Sequence, residues 1–380
     1  MATSISAPKG LEGIVAAETQ LSFIDGEQGI LEYVGIAIDD LARNSTFEET
    51  VFLLWNFRLP NKAELDQFTG DIRANYDIPE GMEQRILSTP KNAQPMHMLR
   101  TAISGFAMHD PDPNATDLPS VRAKSLRVLA QAPTVLAYFD RYRRGLPFVR
   151  PDRSLSLAEN FLYMLNGTKP TPTMAKALDV CLVLHADHGL NNSTFAARVI
   201  ISTLSDLYSA LTGAVGSLRG PLHGGANEDV MRMLAQIPTV DAAENFILGK
   251  LERKEKIAGF GHRVYRAYDP RATFLKTLAK QLAADTGNSI LFEKSQRIEE
   301  VMNREKAAKG IYPNVDFYSA TTYHCIGLKL DLFTPMFAVS RIAGWCGHVL
   351  EQLADNRLYR PTVDYVGPHN VAYTPIGERG

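Results

Sequence analysis

Cysteine is scarce in this chain of 380 residues, with only Cys181, Cys325 and Cys346, each inside an apolar run and none in a C-x-x-C pair. That usage argues against a disulfide framework and fits a reducing cytosol. No stretch of 18 apolar residues runs without a charge, which excludes a membrane-spanning helix, and the opening "MATSISAPKGLEG" lacks the apolar segment of a secretory signal. A soluble, unprocessed, cytoplasmic protein with no membrane partner is expected. Charge of one sign is missing too: 40 Lys+Arg against 42 Asp+Glu leave a formal net charge of −2. The basic excess of a nucleic-acid binder is absent, and long-range steering is weak, so any anion must be recognised by a local cluster. Strict apolar–polar alternation is rare, and there is no repeat or low-complexity tract.

What the chain has is apolar side chains, at 45% of residues, recurring at three- and four-residue steps. Its length and this composition predict a large core in a mostly helical protein, with two domains or one large and one small. In "TPMFAVSRIAGWCGHVLEQLADN", Thr334 suits a helix cap and Pro335 the first helical position. Met336, Val339, Ala343, Cys346, Leu350 and Leu353 form one buried stripe. A second helix is predicted from about Ser193 through Leu211, opened by "NNST", with Phe195, Val199, Ile200, Leu204, Leu207 and Leu211 on its apolar face. The breaks "HDPDPNATDLP" and "NGTKPTPTM" divide the first half into helical blocks.

The densest chemistry lies in "GFGHRVYRAYDPR", Gly259 to Arg271. It begins like a dinucleotide fingerprint, but Val264 stands where the third glycine belongs and no strand precedes it. "DPDPNATD" starts like a calcium loop, yet Ala115 replaces the required glycine and Val121 the bidentate glutamate, so it reads as a turn. His185 and His188 of "HADH" share a helix face without the cysteines or carboxylates that would complete a zinc site. No metal is expected.

His223, enclosed by "GPL" and "GGAN", sits just ahead of a predicted helix; it either closes a turn or, kept neutral, donates a hydrogen bond to a developing enolate oxygen. His262 is followed by Arg266 and Arg271, and guanidinium forks suit a dicarboxylate or a phosphorylated carrier. The alternative is a solvated basic face. Arg341 speaks against it, because it lies mid-helix between Phe337 and Trp345, where an arginine needs an anion or a route to solvent. Asp316, between Val315 and Phe317, is partly desolvated, which raises a carboxylate toward the range of a useful base. With no nucleophile or nucleotide loop, this set suits proton abstraction beside a carbonyl and carbon–carbon bond formation onto an anionic acceptor.

"GPLHGGAN", "GFGHRVYRAYDPRA" and "YPNVDFYSA", in this order, resemble the citrate synthase family in its short bacterial form. The resemblance starts at "LEGIVAAETQLSFIDGEQGILEYVGIAIDDLA" and runs through "DHGLNNSTFAARV" to the last arginine-bearing segment. Val34 stands where related forms commonly carry arginine. The resemblance implies an all-α, two-domain homodimer, with a large domain over 1–223 and 323–380 and a small domain over 224–322 that closes on the substrates. Higher assemblies of dimers occur in the family. It implies that Asp316 takes a methyl proton from acetyl-CoA, His223 stabilises the enolate and His262 polarises the oxaloacetate carbonyl. His188, Arg271, Arg341 and Arg360 would hold oxaloacetate, Arg360 coming from the other subunit. Arg266, Lys256 and Lys309 are candidates for CoA. Acetyl-CoA is then a substrate, and no cofactor is implied. The rival within the family is 2-methylcitrate synthase, which uses propionyl-CoA; a more distant one is a non-catalytic helical scaffold, which would have lost the base or a histidine.

Overall fold

The computed structural model describes residues 8–262 and 264–380. Arg263, the first arginine of the dense segment, lies outside them.

Sixteen α-helices account for most of the described chain, as the periodicity predicts. At the centre runs Phe333–Ala354, whose predicted stripe from Met336 to Leu350 is buried. The burial is wider than a stripe, since Phe333, Arg341, Trp345 and His348 are inside as well. This helix is walled by Phe47–Asn56, Leu118–Arg143, Pro172–His185, Asn192–Ile201 and Leu207–Leu218. A helix apolar all round has no solvated face, so it belongs in the middle of the core. Thr334 does not cap it: the helix already begins at Phe333, and the Thr334 hydroxyl donates instead to Glu228 at 2.6 Å.

Two contacts seat this helix, one against Phe47–Asn56 and one against the segment that carries His188. Trp55 donates its indole N–H to the Ala343 carbonyl at 2.9 Å. Gly344 donates its N–H to the Ala186 carbonyl at 3.0 Å, and a Cβ there would overlap that oxygen and the Asp187 carboxylate. Only glycine permits this approach.

The predicted helix over 193–211 is in fact two, Asn192–Ile201 and Leu207–Leu218. Asn191 caps the first, as "NNST" suggests. The chain then turns at Leu204, whose φ of 61° is left-handed, and Asp206 caps the second by accepting the Ser209 N–H at 2.8 Å. The predicted apolar face holds only in the second helix, where Leu207 and Leu211 are buried; in the first, Ser193, Ala197, Arg198 and Ile201 face inward, Phe195, Val199 and Ile200 are half-buried, and Leu204 is exposed at the turn. The cap signal at Asp206 was legible and outweighs the apolar spacing.

A small antiparallel sheet precedes the helices, with strands Ser22–Asp25, Ile30–Tyr33 and Ile36–Ala37 in sequential order and Ser22 opposite Tyr33. Its strands are too short for alternation to announce them. A second group of helices, Ala226–Ala235, Ala242–Glu252, Pro270–Asp285, Ser289–Lys306 and Val315–Cys325, packs largely on itself. Among the described residues no helix is long and apolar enough to cross a membrane.

Candidate active site

Asp316 stands in the first turn of Val315–Cys325, where Asn314 caps the helix by accepting the Asp316 N–H at 3.0 Å. Among the described residues, nothing donates a hydrogen bond to its carboxylate. Burial pushes it up to about 6, against the opposing charges of Arg271 and Arg341 and with a further push from Asp269. A carboxylate in that range is mostly ionised at neutral pH and still basic enough to take a proton.

Arg271 opens Pro270–Asp285, and Asp269 caps that helix by accepting the Arg271 N–H at 3.1 Å. The same carboxylate holds the guanidinium from two sides, Nε to Oδ1 at 3.0 Å and Nη2 to Oδ2 at 2.8 Å. Burial opposes the Arg271 charge, and Asp269 more than restores it. Nη1 is left without a protein acceptor among the described residues. Arg341 is buried mid-helix, donates Nε–H to the His185 carbonyl at 2.7 Å and lies over the Phe337 ring at 4.7 Å. Neither Nη has an acceptor among the described residues. Burial draws its pKa down to about 10, so it stays charged at neutral pH. Two buried guanidinium groups with unspent donors, both acting electrostatically on Asp316, make a setting for a small polyanion.

The imidazoles of His188 and His262 meet edge to face, 5.2 Å between centroids, and His188 Nε2 lies 3.2 Å from the Tyr265 hydroxyl. Burial first, then the charge of Arg271, holds His262 down to about 4 and His188 well below its ordinary value, so both are neutral at pH 7. The backbone N–H groups of Val264 and Tyr265 both donate to His262 Nδ1, at 3.0 and 3.3 Å. An accepting Nδ1 carries no proton, so in neutral His262 the proton is on Nε2 and that nitrogen is a donor. His223 is oriented by Ser193, its Nε2 lying 2.8 Å from the Ser193 hydroxyl and 3.2 Å from the Ser193 N–H. The Ser193 hydroxyl donates its proton to Asn191, whose amide donates to the His188 carbonyl at 3.4 Å, linking His223 to the His188 segment. The helix after His223 begins three residues on, at Ala226.

Arg266 is exposed and donates to the His262 carbonyl at 3.1 Å. Lys256 and Lys309 are exposed, and neither makes an ion pair among the described residues. Arg360 is exposed on the tail beyond the central helix, where it donates to the Pro361 carbonyl at 3.1 Å. The single chain therefore does not gather Arg360 with the others. His185 faces the Tyr323 hydroxyl at 3.1 Å. No group of three or more potential metal ligands occurs among the described residues.

Sequence reasoning missed the residues that hold these groups: Asp269, Tyr265, Ser193 and Asp187. Asp269 carried a signal, an aspartate directly before a proline at a helix start. Asp187 carried none. It is fully buried, accepts from the Ser22 hydroxyl at 2.6 Å and pairs with His348 at 3.3 Å, partners distant in sequence.

Fold and site together define a helical protein with a desolvated carboxylate, a neutral imidazole that donates from Nε2 and two buried arginines whose charges act on the carboxylate. Residues 10–362 match the family described as citrate synthase, C-terminal domain, and the chain belongs to the citrate synthase family. Citrate synthase 2 of Bacillus subtilis is 48% identical over 376 residues, covering 99% of this chain and 100% of that protein. 2-Methylcitrate synthase 2 of Corynebacterium glutamicum is 40% identical over 383 residues, covering 100% and 99%. The structure of the ternary complex of carboxymethyl coenzyme A and oxaloacetate with citrate synthase from Thermoplasma acidophilum superposes with a TM-score of 0.92 at 33% identity, covering 98% of this chain and 99% of that one.

Proposed function

We propose that the protein condenses acetyl-CoA with oxaloacetate and hydrolyses the resulting citryl-CoA to citrate and CoA. The observation that carries this reading is Asp316, a carboxylate raised to about 6 that accepts no hydrogen bond among the described residues and lies in the field of Arg271 and Arg341. Asp316 takes a proton from the acetyl methyl group, and His223 donates a hydrogen bond to the enolate oxygen. His262 donates from Nε2 to the oxaloacetate ketone, which the enolate carbon attacks to form the new carbon–carbon bond. His188, Arg271 and Arg341 hold the acceptor, with Arg360 supplied by a second copy of the chain. Water then cleaves the thioester. Arg266, with Lys256 and Lys309, takes the CoA phosphates. The helices within 224–322 act as a small domain closing on 1–223 and 323–380, since a reactive enolate needs water excluded.

Thiol release with acetyl-CoA and propionyl-CoA side by side tests the reading. Release should depend on oxaloacetate and favour acetyl-CoA in kcat/KM. One methylene in an apolar pocket is worth only ~1–3 kcal/mol, so equal or better turnover of propionyl-CoA would assign 2-methylcitrate synthesis instead. No release with either points to a non-catalytic scaffold.

A further inference from the structure

The turn between the first two strands reaches the His262 segment through backbone alone. Gly26 accepts the Arg266 N–H at 2.9 Å and the Ala267 N–H at 3.3 Å on its carbonyl oxygen. Val264 and Tyr265, the two residues before these, donate theirs to His262 Nδ1. Four consecutive N–H groups are thus divided, two for the imidazole and two for the hairpin. Gly26 has no room for a side chain, because a Cβ would overlap the Val264 carbonyl, part of the peptide whose N–H, on Tyr265, reaches His262. Gly29, in the same turn, would bring a Cβ within 2.8 Å of the Tyr268 carbonyl. Asp25 braces the turn by accepting the N–H groups of Glu27 and Gln28, both at 2.9 Å.

The other end of this hairpin holds the second imidazole's segment. Ser22 donates to Asp187, the Tyr33 hydroxyl donates to the Asp187 carbonyl at 2.9 Å, and Gly189 donates to the Ser22 hydroxyl at 2.9 Å. One hairpin therefore ties the loops on which His188 and His262 stand edge to face.

We propose that this hairpin is a positioning element for His262: by engaging the Arg266 and Ala267 N–H groups, Gly26 holds those of Val264 and Tyr265 on Nδ1 and so keeps the catalytic proton on Nε2. The inference rests on the reading of His262 as a donor to the acceptor ketone. An imidazole released from two donors is free to exchange tautomers, and in the wrong one it presents a lone pair to the ketone oxygen.

The test compares wild type, Gly26→Ala and His262→Ala, each labelled with 15N in the histidine rings, the His262 signal being identified by its loss in His262→Ala. Wild type should show one tautomer, protonated at Nε2. Gly26→Ala, checked for native circular dichroism, should show mixed tautomers and a rise in oxaloacetate KM of at least about tenfold, as misplacement of a polarising group predicts. If Gly26→Ala leaves both the His262 signal and KM unchanged while His262→Ala is impaired, the hairpin proposal is overturned and the role of His262 stands. If His262→Ala turns over normally, the role of His262 itself fails. Should Gly26→Ala not fold, amide exchange decides. In His262→Ala, the Val264 and Tyr265 amides should exchange faster than in wild type while those of Arg266 and Ala267 stay protected. Fast exchange of all four in wild type overturns the proposal.

Discussion

Asp269 and Arg271 form a closed pair in which both side chains are at most 2% exposed and two hydrogen bonds join them, at 3.0 and 2.8 Å. The Asp269 carboxylate also accepts the Val315 N–H at 3.1 Å, at the start of the helix that bears Asp316. One side chain therefore joins the guanidinium proposed to grip the acceptor to the helix proposed to carry the base. Asp269→Asn leaves a buried arginine without its counter-charge, and breaking such a pair costs about 3–5 kcal/mol. Urea unfolding should show that loss, together with weaker oxaloacetate binding; an unchanged midpoint would mean that the pair contributes nothing to the fold.

Asp316→Asn preserves shape and removes the base. Turnover should fall at least ~100-fold while oxaloacetate binding is nearly retained, because general-base loss acts on the chemical step. In wild type, kcat should decline as pH drops through about 6, where Asp316 takes up a proton. His262, held near 4, adds no limb above pH 5. Near-normal turnover by the asparagine variant would remove Asp316 from the mechanism.

The same variant tests stability. The folded pKa of Asp316 is raised above its ordinary 3.8, so above about pH 6 the native state carries a charge that the unfolded chain solvates better. Below pH 3.8 both states are protonated and the penalty disappears. Asp316→Asn should therefore melt higher than wild type at pH 7.5, with the gain shrinking toward pH 4. A constant difference across that range would show that the carboxylate is not desolvated in the folded protein.

Arg341 has two terminal nitrogens without acceptors among the described residues, and burial draws its pKa down to about 10. Arg341→Gln should raise the melting temperature of the free protein, since an underpaired buried cation is costly. It should also abolish most of the stabilisation that oxaloacetate confers and raise its KM by about 100-fold or more, as loss of a charge-assisted pair predicts. An arginine serving only the fold would give the reverse: a lower melting temperature and an unchanged KM.

Arg360 lies exposed on the tail, away from any acidic partner among the described residues. If a second copy receives it, Asp316→Ala and Arg360→Ala proteins, each inactive alone, should recover activity when unfolded together and refolded as mixed dimers. In a mixed dimer one site has both residues and the other neither. Differentially tagged mixed dimers that stay inactive would place Arg360 in its own subunit's site or outside catalysis.

The amino-acid sequence by itself determined what short-range physics controls. Three- and four-residue periodicity made the fold helical, and the caps Asn191, Asn314 and Asp206 mark helix starts because their hydrogen bonds span only two or three residues. An arginine in the middle of the apolar run of Phe333–Ala354 had to find an anion or a route to solvent, and its burial in the folded chain closes the second way. Tertiary structure alone decided the rest. Asp187 meets Ser22 across 165 positions, and Ser193 meets His223 across 30, so neither pairing leaves a local trace. The tautomer of His262 depends on which backbone N–H groups the folded chain brings to its ring. That is a matter of ångströms set by packing, whereas periodicity records only which side of a helix a residue faces.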